Sequence, residues 1–339
     1  MNEAHNFYRS RLRGAEAELY DEIVSAQEQQ AASVSAGRGI TLKNALSVYG
    51  KVRNDHPEMI QLENDIKLSS SLFSSQVLLH YGLNLRQRTE MIGRMQEMAH
   101  QILASIDRSL MSESEVVRAL HDYLAVHVKY NLPALEQDRI TFQDTNAHGA
   151  LLYGTAVCHG YAQAMKYLCD QAGIECLVVI GKSNLPQTKQ QMDHAWNIVK
   201  ANGYYQHVDV TWDSNLTRDP ENPCMDYFML NDENILMDHV FEMSQVPKCP
   251  EEPCNYYHAN QLEVTGLKDI DRIVRDAAFM ESHTIGFKVK NWGLKPQEIE
   301  ERTTAAIMNE FESNSGEYSY EYIVNEDQNT YWFYVHDAG

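Results

Sequence analysis

The sequence predicts an α+β protein, on three observations. From Cys158, apolar residues recur at Tyr161, Ala162, Met165, Leu168, Cys169 and Ala172, the i, i+3, i+4, i+7 spacing of one buried helix face. Two strand-like runs, Ala195–Val199 and Tyr205–Trp212, flank Asn202-Gly203, the pair favoured in a type I′ hairpin turn, where both central residues need positive φ. Beyond Leu262 the pattern changes to two more helices and three strands, a small α+β unit.

Taken in order, Ala4 to about Gln29 reads as one helix with Tyr8, Leu12, Ala15, Leu19 and Ile23 as its stripe. Ala31–Gly39 is rich in Ala, Ser and Gly and reads as a loop. A second helix spans Thr41–Arg53 and stops before His56-Pro57, since the residue before proline avoids the helical region. Ile66–Ser70 and Gln76–Tyr81 read as short strands. Arg86–Ser109 is a helix whose methionines, Met91, Met95 and Met98, are core packing rather than a cofactor site. Ser112-Glu-Ser-Glu115 is a capping box that opens the next helix. Asn131–His148 reads as an irregular polar loop, with His148-Gly149 facing the cleft. Glu175–Gly181 is a buried strand, Lys182–Met192 a polar loop, and Asn215–Met225 another. Tyr227–Leu230 is a strand, and Asn231 opens a short helix. Pro247–Pro253 holds three of the nine prolines and reads as a linker. In the last unit, Asp269–Phe279 and Pro296–Glu312 are helices; Thr284–Val289, Tyr318–Val324 and Thr330–Val335 are strands. The domain division expected is residues 1–110, mainly helical; 111–246, the core; and 260–339, the small α+β domain.

Composition narrows the function. A hydrophobic share of 43% over 339 residues is enough for a sizeable core. A net charge of −20 argues against nucleic acid and anionic membrane surfaces as partners. No apolar run has the length of a membrane span, and no signal peptide is visible at the N-terminus, so a cytoplasmic location and no membrane insertion are expected. Of the six cysteines, Cys169 and Cys176 lie in apolar settings. Cys249 and Cys254, with Cys224 and His258 nearby, lack the paired spacing of a zinc site; a plain loop or a disulfide is expected there. No metal and no cofactor are expected.

Three residues carry the chemistry. Gly154-Thr155 marks a turn and Gly173 a helix end, so Cys158 opens its helix, where unpaired N–H groups and the helix dipole favour a thiolate. With Asn202-Gly203 as a two-residue turn, Ala201 faces Tyr204, His194 falls opposite Thr211, and Trp196 opposite Asp209. His194, Trp196 and Asp209 then share one face, and His194 and Asp209 are diagonal neighbours about 7–8 Å apart at Cα. A thiol at a helix start with an imidazole oriented by a carboxylate suits covalent acyl transfer. Asp213 is the fallback acid, Asp193 sits on the wrong face, and His207 could support from behind.

Gly154-x-x-x-Cys158-x-Gly-Tyr-Ala, His194-Ala-Trp-Asn and Val208-Asp-x-Thr-Trp together resemble the transglutaminase-like cysteine superfamily, from about Tyr8 to about His239, with His121-Asp-Tyr-Leu, Val128-Lys-Tyr and Asp226-Tyr-Phe-Met-Leu-Asn-Asp-Glu included. The resemblance implies a papain-like core, a nucleophile helix on an antiparallel sheet. It also implies Cys158 as nucleophile, His194 as base and Asp209 as orienting acid, acting on a peptide or protein substrate. Papain-like enzymes place a glutamine before the nucleophile as a second oxyanion donor; here Leu152-Tyr153 stands there. Tyr153, Gln143 and Asn146 are the candidates to replace it, and His159 and Trp196 are expected to line the cleft. The function expected is a peptidase or amidase working through a thioester. The alternatives are a protein-crosslinking transglutaminase, an inactive binding or assembly protein, and, less favoured, a metal-dependent hydrolase.

Overall fold

The helix Cys158–Ala172 buries ten of its fifteen residues, which makes it the axis on which the surrounding elements pack. Its apolar stripe meets the helices Leu85–Ala104, Glu113–His127 and Ala147–Tyr153 in one cluster that includes Met95, Leu120, Leu124, Ala150, Met165 and Leu168. Each fully buried leucine or methionine there stabilises the fold by roughly 1.5–3 kcal/mol. The computed structural model describes residues 6–70, 75–184, 191–311 and 318–337.

Against the other side of this helix lies a five-stranded antiparallel sheet, in the spatial order His239–Phe241, Glu175–Asn184, Gln191–Ala201, Tyr204–Val208, Phe228–Leu230. The hairpin register is the one expected: Ala201 faces Tyr204 and Asn197 faces Val208. Asn202 and Gly203 both have positive φ, 52° and 88°. Asn197 fastens helix to sheet, donating from one buried amide to the carbonyls of Ala162 (3.0 Å) and Leu177 (3.1 Å).

The N-terminal region packs the helices Phe7–Arg11, Gly14–Ala26 and Leu42–Asp55 on a three-stranded sheet of Ser33–Ala36, Ser75–Tyr81 and Leu62–Ser70. Buried Asp55 ties it together, accepting from the Tyr8 and Arg9 N–H groups and the Tyr20 hydroxyl. Tyr8 then donates across to the Val178 carbonyl of the central sheet at 2.6 Å.

The C-terminal unit has four strands, ordered Glu263–Val264, Thr284–Val289, Thr330–Asp337, Tyr318–Asn325, with the helices Leu267–Phe279 and Pro296–Phe311 on one face. One buried carboxylate of the core gathers several of its links to that unit. Asp226 accepts from the Tyr257 hydroxyl (2.5 Å), the Trp332 indole (2.8 Å), the Asn325 amide (3.0 Å) and the Thr330 hydroxyl (2.6 Å).

Several local expectations are corrected. The first helix is two, broken where Gly14 takes φ +54°. The Ala31–Gly39 stretch contains the strand Ser33–Ala36, whose alternating burial is carried by residues as small as serine and alanine. The helix from Leu85 ends at Ala104, short of Ser109. Asn131–His148 contains the helix Leu132–Glu136 and leads into Ala147–Tyr153, with Gly149 so close to the Gln143 carbonyl that any Cβ would collide at 2.1 Å. The ends of the Lys182–Met192 stretch are strand, and residues 185–190 lie outside the described residues. The strand from Tyr204 stops at Val208, so His194 and Thr211 do not pair. The C-terminal sheet gains a fourth strand, Glu263–Val264, parallel to Thr284–Val289. The Pro247–Pro253 stretch is packed: Cys249 is fully buried and donates its N–H to Asp232 at 2.9 Å. All six cysteines are free thiols, so Cys249 and Cys254 form no disulfide.

Candidate active site

Cys158 is the first residue of its helix, preceded by Val157 as N-cap. Two features hold the helix start in place. The Val157 N–H donates to the Asp144 carbonyl at 2.9 Å. One turn on, Gly160 lies so close to that carbonyl that a Cβ would sit 2.4 Å from it. On the other side, the short parallel pairing of Tyr130 with Ala156 sets the Tyr130 ring beside the thiol. Cys158 is partly exposed and packs on Ala162, Val178 and Ala195.

His194 stands on the central strand. Its Nε2 lies 2.5 Å from Asp209 Oδ2, which leaves Nδ1 for the Cys158 side. Burial disfavours charge on the ring, but Asp209 and then the Cys158 thiol outweigh it and raise His194 to about 10. Trp196 backs the imidazole, stacked at 5.9 Å between centroids.

Asp209 follows the end of its strand and caps the helix Val210–Leu216. Its Oδ1 accepts from the N–H groups of Thr211 (3.0 Å) and Trp212 (3.2 Å). Burial opposes its charge, yet His194 and His239 hold it well below the usual carboxylate range. His239 is the second partner: its Nε2 is 3.1 Å from the same Oδ2 that takes His194.

Sequence reasoning missed His239 and gave Tyr130 no role. The phenol of Tyr130 is raised by burial and then by the Cys158 sulfur, and it also interacts with the Cys158 N–H. The hydroxyl therefore borders the place where an acyl oxygen would be stabilised. Tyr130 lay within the matched Val128-Lys-Tyr stretch; no spacing rule pointed to His239.

The oxyanion and cleft candidates are dispersed. The Asn146 amide accepts from Arg53 (3.3 Å) and donates to the Ile60 carbonyl (3.3 Å). His159 pairs with the Asn54 side chain at 3.0 Å, and burial, with Arg53 beside it, pulls it down to about 3. Tyr153 is exposed, with His148 as its ring neighbour. None of these, nor Gln143, nor Trp196, lines the cleft at His194. His148 is buried and lies outside that cleft too. Asp213 pairs with His121 instead, Oδ2 to Nε2 at 3.0 Å. His207 accepts from the Trp196 indole at Nδ1 (3.0 Å) and faces Asp232 with Nε2 (3.0 Å).

The cleft itself, about 640 Å³, opens on His194. Leu132, Leu135, Met192 and Trp212 supply apolar walls, Lys129 and Arg218 supply positive charge, and no carboxylate lines it among the described residues.

Two clusters could in principle close on a metal, His194/Asp209/His239 and His207/Asp232/Cys249. In the second, the Trp196 N–H occupies His207 Nδ1, so the ring proton sits on Nε2 toward Asp232; ligation there would require an imidazolate. In the first, both Nε2 atoms already serve Asp209.

Residues 100–210, which include Cys158, His194 and Asp209, match the family described as Transglutaminase-like superfamily. The chain carries a transglutaminase-like domain. It is 32% identical over 171 residues to mouse kyphoscoliosis peptidase, 48% of this chain and 23% of that protein. To the human kyphoscoliosis peptidase it is 32% identical over 152 residues, 43% of this chain and 20% of that protein. The chain thus spans less than a quarter of the length of these relatives. Among solved structures, a TGase is similar at a TM-score of 0.32 and 14% identity, over 44% of this chain and 45% of that one. The NAT3 arylamine N-acetyltransferase of Bacillus cereus is similar at 0.29 and 12%, over 35% of this chain and 49% of that one.

Proposed function

We propose that this transglutaminase-like domain is a cysteine acyl-transfer enzyme that cleaves peptide or side-chain amide bonds through a thioester at Cys158. The observation that carries the reading is the His194 ring, held by Asp209 at 2.5 Å through Nε2 and turned to the partly exposed Cys158 through its other edge. In the proposed cycle the Cys158 thiolate attacks the amide carbon. The carbonyl oxygen becomes an oxyanion next to the Cys158 N–H and the Tyr130 hydroxyl. The imidazolium of His194 then gives its proton to the departing amine, and the C–N bond breaks to leave the thioester. A water, deprotonated by His194, attacks the thioester; the acid leaves and the thiol is restored. The walls beside His194 support an acyl segment with an apolar side chain and a neighbouring carboxylate, which Lys129 and Arg218 would meet.

Iodoacetamide at neutral pH tests the nucleophile. Cys158 is expected to be alkylated ahead of Cys254, the other partly exposed thiol, and of the four buried ones. Fluorogenic peptide amides with and without an added primary amine then separate hydrolysis from crosslinking: the acid is expected as the main product. Equal alkylation of Cys158 and Cys254, with no turnover lost in Cys158→Ala, would refute the reading.

A further inference from the structure

We propose that His239 is a positioning residue of this site: standing as an imidazolium between Asp209 and Asp238, it holds the acid partner of His194 and joins it to the C-terminal unit. The inference rests on the reading of Cys158, His194 and Asp209 as the reactive trio.

Geometry favours the charge. His239 Nε2 is 3.1 Å from Asp209 Oδ2, and Nδ1 is 2.5 Å from Asp238 Oδ1. A neutral ring has one N–H and can serve only one carboxylate; the imidazolium has two. On Asp209 both oxygens are taken, and on Asp238 only Oδ1, the atom facing His239, could carry a proton; between two carboxylates that proton is favoured on the ring. Asp209 already takes two backbone N–H groups on Oδ1 and His194 on Oδ2. Asp238 takes the Tyr227 hydroxyl on Oδ2 at 2.6 Å, with the Gln328 amide at 3.5 Å. The titratable groups facing His239 are Asp209 and Asp238 by hydrogen bond, His194 and Tyr227 by ring contact, and His207 by charge. Burial works against its charge and the two carboxylates outweigh it.

The residue therefore has two effects. It holds Asp209 Oδ2 beside His194, as a second donor to the same oxygen, so the carboxylate keeps a partner in place when His194 loses its proton. It also places a second cation near His194, the two ring centroids 5.4 Å apart, which moderates the basicity that Asp209 confers. The path continues outward. Gln328, on the turn between the last two strands, donates toward Asp238 and accepts from buried Lys288 at 3.2 Å. The C-terminal unit thus reaches the reactive trio through Gln328, Asp238 and His239.

The test is ¹⁵N NMR of histidine-labelled full chain, combined with the pH dependence of Cys158 alkylation by iodoacetamide. In the wild type, both His239 ring nitrogens are expected to be protonated at pH 7–8. In Asp238→Asn, His239 should lose its second ring proton at a lower pH than in the wild type, and the alkylation profile should gain a step at the same pH. In His239→Gln, which keeps a donor but no charge, the alkylation rate at pH 7 should change by about tenfold or more with the fold intact by circular dichroism. One unprotonated His239 nitrogen in the wild type at pH 7 would overturn the proposal. So would wild-type alkylation profiles in both folded variants. If wild-type Cys158 is alkylated no faster than Cys254, the proposed function fails instead, while the nitrogen shifts still report on His239.

Discussion

His194 Nε2 lies 2.5 Å from Asp209 Oδ2, although the hairpin ladder that aligns the two strands ends one residue before the aspartate. The contact is made because Asp209 leaves the sheet to cap a helix. Its backbone turns, one oxygen takes two helix N–H groups, and the other is left pointing at the imidazole. The same carboxylate thus starts a helix and holds the ring that is proposed as the base.

Removing that carboxylate should act on rate and on stability. Asp209→Ala is expected to lower turnover roughly 10²–10⁴-fold, read as kcat on the best amide substrate. The stability effect has a definite sign. His194 is raised above its unfolded value, so its contribution is complete below about pH 6.5 and fades as pH climbs toward about 10. Asp209 is depressed, so its contribution holds above about pH 4 and fades in acid. The difference in melting temperature between wild type and Asp209→Ala should therefore be greatest between about pH 4 and 6.5.

The alkaline side of the activity profile follows from the same pair. With His194 raised to about 10, the imidazolium needed to protonate the leaving amine persists well above neutrality. Turnover measured from pH 6 to 11 should hold to about pH 9 and then fall. A fall centred near pH 6.5, where free imidazole titrates, would show that Asp209 does not govern the ring in solution.

Tyr130→Phe removes one hydroxyl beside the Cys158 N–H and leaves the ring packing on Tyr161. As an oxyanion donor it should cost roughly 10²–10³ in kcat with little change in KM. Steady-state kinetics on a single substrate decide the point.

The cleft's charge makes a separate prediction. Lys129→Glu with Arg218→Glu should lower kcat/KM for peptides bearing an acidic residue next to the scissile acyl group by about tenfold or more, and spare or favour their lysine counterparts. Both side chains line the cleft, and both are exposed, so folding should be untouched.

The buried pair of His121 and Asp213 supports the fold away from the thiol. His121 is held charged by Asp122 and Asp213 against burial, at about 9. His121→Ala takes the cation from Asp213, which burial raises to about 7, so the carboxyl is expected to take up a proton near neutral pH and the loss in chemical denaturation to be about 1–3 kcal/mol, larger at higher pH. Cys158 in the folded fraction should still be alkylated first.

What could be read in the sequence was what local rules govern. Turn chemistry at Asn202-Gly203 set the hairpin register, and periodicity with Gly173 set the helix that Cys158 opens. What could not be read depended on distant packing. Asn146 and His159 sit near Cys158 in the chain, but the N-terminal region covers them with Arg53 and Asn54. His239 reaches Asp209 from an edge strand paired to Glu175–Asn184, a neighbour no short spacing foretells. Asp213 reads as a fallback acid only if Val210-Thr-Trp212 continues the strand, as its residues favour; the Asp209 cap makes that run a helix and carries Asp213 to His121.

The four donors gathered on Asp226 bear on how the protein may be cut. Three of them, Asn325, Thr330 and Trp332, belong to the last twenty residues or so of the chain, while Asp226 itself leads into the strand beside Asp209's own. A recombinant fragment ending near residue 260 would take three of the four donors from Asp226 and bare the apolar core surface that Trp332 and Tyr334 share, Tyr257 included. The minimal soluble piece that keeps Cys158 in working order is therefore expected to extend through Trp332, so mapping by C-terminal deletion would report lost folding as lost chemistry.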